Sequence, residues 1–322
     1  MARRLALAGV AGALVLLAGL LWLVVPWYAS GPAESDTTFT VAEGASLRTV
    51  AAALAEAGLI SSADGFVLRA RVLGGSGHVR AGEFALPAGA SPATILDTLQ
   101  SGAVIRRLVT IPEGMPSVLV HERLMAEPLL TGSIPVPAEG SVLPDSYAFE
   151  RGETRQAVLA RMQRAMQAAL SEEWERRSAR AVVSTPAEAV ILASVVEKET
   201  GLASERPMIA GALSNRLRTG MRLDADATTI YPITRGRPLG RMIRRSELDD
   251  PNPYNTRAIA GLPAGPITNP GRDAIRAVLN PADTDALFYV ADGSGGHVFA
   301  RTLSEHNANV ARWREIRRQR GI

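Results

Sequence analysis

From Leu5 to Val25 the chain runs 21 residues without a polar side chain. A helix of that length rises about 31 Å, the thickness of a bilayer core. Arg3 and Arg4 precede the run, and Glu34 and Asp36 follow it. Basic flanks stay cytoplasmic, which predicts an N-terminus inside and the rest of the chain outside. Trp22, Trp27 and Tyr28 stand at the far boundary, where amphipathic rings favour the interface. A cleaved signal peptide would have a shorter apolar core and a small-x-small site, which Ala29-Ser30-Gly31 matches poorly. Residues 1–28 are therefore expected to be an uncleaved single-span anchor.

After a polar linker, 29–38, the pattern shortens and alternates. FTVAEG reads as a strand ending at Gly44. Leu47, Val50, Ala51 and Leu54 follow at helical spacing and stop at Gly58. A second helix is expected over 62–73, ended by Gly74-Gly75, then a strand over 82–86. Ser91 caps a helix with Pro92 in its first turn and Gly102 after it. Residues 104–111 alternate as a strand, Pro112-Glu113-Gly114 breaks it, and 116–126 resume a helix. Together these predict one small α+β module over 39–127.

Residues 128–141, rich in proline and glycine, read as a linker opening a second α+β domain, 128–322. Thr154 caps a long helix whose stripe is Val158, Met162, Ala165, Met166, Ala169, Leu170 and Trp174. A helix is expected over 186–200, and another capped by Ser204 and ended by Gly220. Residues 252–271 hold too many breakers for regular structure, and long rigid loops of this kind often line sites. A hairpin, LFYVAD-GSGG-HVFA, precedes a final helix. Near its start, Glu305 and His306 read as capping or packing residues.

Composition narrows the chemistry. The 322 residues are 47% hydrophobic and 21% charged, ordinary for a folded chain. With no cysteine, disulfides, thiolate nucleophiles and cysteine zinc sites are excluded. Four histidines (His78, His121, His297, His306) are too few and scattered to suggest a metal site, and no cofactor motif is present. The net charge is +3, and Arg3 and Arg4 account for two of those charges. Without a concentrated basic face, a nucleic-acid partner is not expected.

The segment STPAEAVILASVVEKETG, 184–201, holds the most chemistry. Thr185, Pro186 and Glu188 form a capping box and Gly201 supplies the stop. From Ala189 to Val196 only Ser194 is polar, so the helix is buried on most sides. Glu197 continues the stripe of Val190 and Ala193 into the last turn. Desolvation and the negative end of the helix dipole both raise its pKa, as a general acid requires. Lys198 or a nearby arginine would pull the other way. Glu199 projects to a different face. Lys198 is the only lysine among 35 basic residues, and a compact rotatable ammonium suits a tight site. The competing reading makes Glu197-Lys198-Glu199 ordinary surface charges at a helix end. Asp145 and Tyr147 fall in a turn-like loop within VLPDSYAF.

The ordered set LPDSY, ASVVEKETG, SER…NRLRTGM, LDADATTIY, PYNT, GLPAGPITNPG, GGHVFA and EHN closely resembles the endolytic murein transglycosylases of the MltG (YceG-like) family. The resemblance covers nearly the whole chain. It implies a bacterial inner-membrane protein with a LysM-like module and an α+β catalytic domain facing the periplasm. The implied substrate is the nascent glycan strand of peptidoglycan, with peptidoglycan synthases as possible protein partners. The implied reaction cleaves the β-1,4 bond between MurNAc and GlcNAc without water and leaves a 1,6-anhydroMurNAc end. The first glutamate of VEKET, Glu197, is then the catalytic residue. Tyr147, Lys198, Glu199, Asn215, Asp226, Tyr254, Asn255 and Thr256 are expected to orient the sugars or support Glu197, on motif membership alone.

The sequence departs from the family pattern in places. Where Q-x-D-P-T is common, Asp224, Asp226, Ala227 and Thr228 stand, and PYNT is followed by Arg257 rather than tyrosine. Residues 232–248 are unusually basic. Three other readings compete. A muramidase-type hydrolase would take Asp224 or Asp226 as its second carboxylate. A non-catalytic scaffold would only bind glycan. A Schiff-base enzyme on Lys198 is disfavoured, because flanking Glu197 and Glu199 hold the amine in its charged, non-nucleophilic form.

Overall fold

The computed structural model describes residues 2–74 and 77–321. Gly75, expected to end a helix with Gly74, lies outside them, as do the side chains of Arg3 and Arg4. By internal packing the chain divides into two compact units. One is Met1–Arg107 with Phe149–Gly152; the other is Leu108–Ala148 with Glu153–Ile322.

The first unit opens with α1 (Ala2–Tyr28), which contains an apolar stretch, Gly9–Tyr28, long enough to cross a membrane. Next come β1 (Thr37–Val41), α2 (Leu47–Glu56), α3 (Ala63–Leu73), β2 (Gly82–Leu86), α4 (Pro92–Ser101) and the start of β3 (Arg106–Thr110). β1 and β2 pair antiparallel with Phe39 opposite Phe84. Alternation along each strand puts Phe39, Val41, Phe84 and Leu86 on the face that α2, α3 and α4 cover. Ser46, Ser62 and Ser91 each cap a helix by accepting a backbone N–H from the third residue onward. Residues of the expected 29–38 linker lie along the 87–89 turn: Gly31 donates to the Gly89 carbonyl at 3.1 Å, and Ala88 to Asp36 at 2.9 Å. Glu83 is buried in this unit against Arg107 (2.5 Å) and Arg151 (3.2 Å).

The second unit holds α5 (Ser117–Ala126), most of β4 (Ser146–Glu150), α6 (Arg155–Glu175) and α7 (Pro186–Glu199). It continues with α8 (Arg206–Arg218), α9 (Asp226–Thr234), α10 (Arg245–Leu248) and α11 (Arg272–Leu279). The hairpin β5 (Phe288–Ala291) and β6 (His297–Ala300) and then α12 (Leu303–Arg320) complete it. α7 is the axis of this unit: Ala189, Leu192, Ala193, Val195 and Val196 have no solvent exposure, and α6, α8, α9 and α11 pack around it. That is why its sequence is apolar on nearly every side.

Several elements differ from the sequence reading. α5 packs with the second unit and not with the first module, because the chain before it is tied to later loops. Ser204 does not cap α8; it lies in a 3₁₀ turn, Ala203–Glu205, and the helix begins at Arg206 with Pro207 in the first turn, where its missing N–H costs nothing. Tyr147 lies on strand β4 and not in a loop. Residues 128–141 are anchored: Glu139 accepts from the Ser117 amide at 2.8 Å, and Arg155 holds the carbonyls of Leu124, Gly132 and Glu127. Glu305 completes the capping box of α12 with Thr302, and His306 stacks on Phe288. The mixed helix-and-strand class expected from sequence stands.

Candidate active site

Glu197 ends the buried stripe of α7, and its side chain is 4% exposed. Its Oε1 lies 3.0 Å from Nη2 of Arg206, at the start of α8. Its Oε2 accepts the backbone N–H of Gly271 at 2.9 Å, just before α11. The same Arg206 nitrogen holds Oε2 of Glu113 at 2.6 Å. Arg206 is itself buried (7%), whereas Glu113 is 44% exposed. A buried carboxyl thus shares one guanidinium with a half-exposed one.

Burial raises the Glu197 pKa above the usual carboxylate range, and the charge of Glu113 adds to this. The Gly271 amide, Arg206 and Lys198 pull it down, but less. The net direction is the one that keeps a carboxyl protonated toward neutral pH, as a proton donor needs. Once ionised, the carboxylate still has two hydrogen-bond donors fixed on it.

The loops around it are held by groups that the sequence spreads far apart. Ser194, the one polar residue in the buried run of α7, accepts the Ile267 amide at 3.0 Å. Asn269 donates to the Met115 carbonyl (2.9 Å) and Ser117 (3.1 Å) and accepts from the Val142 amide (3.1 Å). Its own carbonyl receives the Gly114 amide at 3.0 Å. The 112–117 turn and the 252–271 loop are thereby stitched together beside Glu197. Two glycines allow this closeness. Gly114 has φ +70°, and a Cβ there would press on Glu197 Cγ at 3.4 Å; a Cβ on Gly271 would collide with the Glu113 carboxylate.

The other residues singled out from sequence fall in different places. Lys198 is exposed, next to Glu197. Glu199 turns away to accept the Tyr289 hydroxyl at 2.9 Å, and burial raises its pKa. Tyr147 donates to the Leu143 carbonyl at 2.7 Å, and burial holds its phenol protonated well beyond the usual range. Asn215 donates to the carbonyls of Thr284 and Ala286, tying α8 to the segment before the hairpin. Asp226 pairs with Arg257 at 2.6 Å, and Asp224 with the same guanidinium at 3.5 Å. Arg257, the departure from the family pattern, thus occupies the two aspartates considered for a hydrolase.

Tyr254 leans on Tyr231, with ring centroids 5.0 Å apart. Asn255 is fully enclosed: its amide donates to the carbonyls of Glu247, Leu248 and Asp250, and its oxygen accepts from Thr229 and the Arg257 amide. Thr256 is likewise buried, bonded to Thr228 at 2.8 Å and accepting the Ala225 amide. In this structure Asn255 and Thr256 place their side-chain hydrogen bonds within the loop and its neighbours.

Glu113, Arg206, Gly271 and Asn269 carry the geometry around Glu197, and none had been singled out as a site residue. Their motifs were visible: PEG reads as a strand break, SER opens α8, and TNPG closes the long loop. Only the fold shows that these three meet. Among the described residues, no group of histidine, aspartate and glutamate is arranged to hold a metal ion.

A buried carboxyl at a helix end, held by one guanidinium and one amide, has the surroundings that proton transfer asks of a carboxyl. The chain belongs to the YceG-like family, whose model it matches over residues 39–312. It is 27% identical over 312 residues to the endolytic murein transglycosylase of Bacillus subtilis, an alignment covering 86% of this chain and 85% of that one. It is also 27% identical to the endolytic murein transglycosylase of Streptococcus pneumoniae serotype 2, covering 85% of this chain and 58% of that longer protein. A crystal structure of a YceG-like protein from Listeria monocytogenes shares the fold, with a TM-score of 0.54 at 24% identity, covering 85% of this chain and 98% of that one.

Proposed function

We propose that the protein is an endolytic peptidoglycan lytic transglycosylase with Glu197 as its catalytic acid and base. The observation that carries this reading is the Glu197 carboxyl itself: buried, with its pKa raised, yet provided with two donors for the ionised form. The relatives bearing that activity in their names align with most of the chain.

In the first step protonated Glu197 gives its proton to the glycosidic oxygen as the bond to the MurNAc anomeric carbon breaks. The carboxylate left behind is stabilised by Arg206 and the Gly271 amide. It then takes the proton of the MurNAc C6 hydroxyl, whose oxygen closes on the anomeric carbon. One bond is broken, one is formed, the proton returns to Glu197 and no water is consumed. An ordinary glycosidase needs a second carboxylate as nucleophile or to activate water.

The muramidase reading is kept for one reason. Glu113 is a second carboxylate at the same guanidinium, whereas Asp224 and Asp226 are engaged by Arg257. The mass of the new glycan end decides between them: strands digested to anhydro ends, one water lighter than hydrolysed ends, support the transglycosylase, and reducing ends overturn it.

The remaining parts of the reading follow the family. α1 serves as a single-pass inner-membrane anchor with its N-terminus cytoplasmic, so that the catalytic unit is periplasmic. The β1–β2 module with α2, α3 and α4 acts as a LysM-like glycan-binding domain. Tyr147, Tyr254 and Lys198 are assigned to sugar contact on motif membership, and cutting within new strands makes peptidoglycan synthases the natural partners.

A further inference from the structure

The far end of α1 is gripped by α3. Pro26 lies inside α1 and has no N–H, so the carbonyl of Trp22, four residues earlier, loses its helical partner. Arg69 of α3 supplies one: its Nη2 donates to the Trp22 carbonyl at 3.1 Å and its Nε to the Leu23 carbonyl at 3.1 Å. Its guanidinium also lies 5.0 Å from the centre of the Trp22 ring. One turn on, Trp27 is buried (2% exposed) against Phe66, with ring centroids 5.6 Å apart. The module therefore begins at the level of Trp22 and not after Tyr28.

That level fixes a depth if α1 spans the membrane as read above. Leu5 to Trp22 is a helical length of about 27 Å, close to the whole hydrocarbon core. The module has no stretch of free chain in which to stand clear of the lipid, and α3 is held within a side-chain length of the boundary. Its outward face suits that position. Phe66, Val67 and Ala70 point into the module core, while Leu68 is 44% and Val72 59% exposed. These two are one turn apart on the same face. Among the described residues of this unit, they are the large hydrophobic side chains left exposed outside α1. Arg71, exposed beside Val72, supplies a cation of the kind found on helices that lie in an interface.

We infer that α3 is a membrane-surface helix, with Leu68 and Val72 set into the headgroup boundary beside the anchor. The occupant of this apolar strip is lipid, because α3 is fastened through Arg69 and Phe66 to the end of the helix read as lying in lipid. The consequence is a module fixed in height above the bilayer, rather than one tethered on a flexible stalk.

The full-length chain has no cysteine, so single-cysteine variants report depth directly. Leu68→Cys, Val72→Cys and, as the anchor probe, Leu14→Cys would be labelled with an environment-sensitive NBD fluorophore. Each would be reconstituted in phosphatidylethanolamine–phosphatidylglycerol vesicles. The expected result is a blue-shifted emission at positions 68 and 72, quenched by a nitroxide carried at the lipid headgroup. Unquenched, red emission at both positions while position 14 is quenched by lipid nitroxide would overturn the inference and leave the anchor intact. Failure of position 14 to report lipid would overturn the anchor reading, and the inference with it.

Discussion

Glu113 and Glu197 share one guanidinium nitrogen. Nη2 of Arg206 lies 2.6 Å from the first and 3.0 Å from the second. The two carboxyls differ in surroundings, one half-exposed and one buried, and burial raises the pKa of the second. Arg206 favours the Glu197 anion, and Glu113 opposes it.

Glu113→Gln tests that opposition. Removing its charge takes away an influence that raises the Glu197 pKa and frees Arg206 to act on Glu197 alone. The Glu197 pKa falls. A general acid must be protonated, so activity declines as pH rises through its pKa. The basic limb of the kcat/KM profile should shift to lower pH, with the product end unchanged. A profile that stays in place would show that Glu113 acts only by contact.

Gly271→Ala should strike the site without touching either carboxylate chemically. Its Cβ would collide with the end of the flexible Glu113 side chain and push that carboxylate off Arg206, leaving the Gly271 amide on Glu197 Oε2. Turnover should fall by roughly tenfold or less, short of the 10²-fold that a displaced catalytic group costs. Its melting temperature should move little compared with that loss, and steady-state kinetics beside thermal unfolding would separate the two.

Asn255→Ala is expected to act through the fold. Its side chain makes five buried or half-buried hydrogen bonds to the 247–257 and α9 segments, leaving several backbone carbonyls unpaired on removal. Glu247 and Leu248 are half-buried and Asp250 is exposed, so water takes over part of the loss. Denaturant unfolding should show a loss of roughly 1–2 kcal/mol. A variant of unchanged stability with a raised KM would instead make Asn255 a sugar contact.

Glu173 gives a pH dependence of stability. Burial pushes its pKa up, but Arg276 and Arg272, bonded to its carboxylate at 2.6–3.2 Å, outweigh this and hold it below the usual value of 4.5. A depressed folded-state pKa means the contribution is complete above the unfolded value and is lost as pH falls through the folded one. Glu173→Gln should cost about 1–3 kcal/mol at neutral pH, since the two half-exposed arginines can turn to water. The gap between variant and wild type should close in acid below about pH 4.5.

Local signals were legible in the sequence where one residue decides one feature. Ser91, Pro92 and Gly102 fix α4; Thr185 and Pro186 fix the start of α7; the glycine-rich turn fixes the last hairpin. Burial around Glu197 was legible too, because a helix apolar on all sides has to be enclosed. What was not legible depends on contacts across long separations. Arg206 meets Glu113 across 93 residues, and Gly271 meets Glu197 across 74; no local period encodes either. α11 went unpredicted because its eight residues follow a proline-rich loop and carry charges on one face. Asn255 and Thr256 are expected at the site on membership of the PYNT motif alone, and no local pattern shows how their side chains are used. In the fold, an irregular buried backbone needs those same groups as partners.

In the proposed reaction one carboxyl, Glu197, does all the proton work of bond cleavage. Uncrosslinked glycan strands digested by wild type beside Glu197→Gln, with the new ends read by mass spectrometry, test it most directly. Internal fragments with 1,6-anhydro ends are expected from wild type. With the variant the rate should fall by at least roughly 10²–10⁴-fold, at an unchanged melting temperature. Cleavage by Glu197→Gln at a rate near wild type, or hydrolysed reducing ends from the wild-type protein, would contradict it.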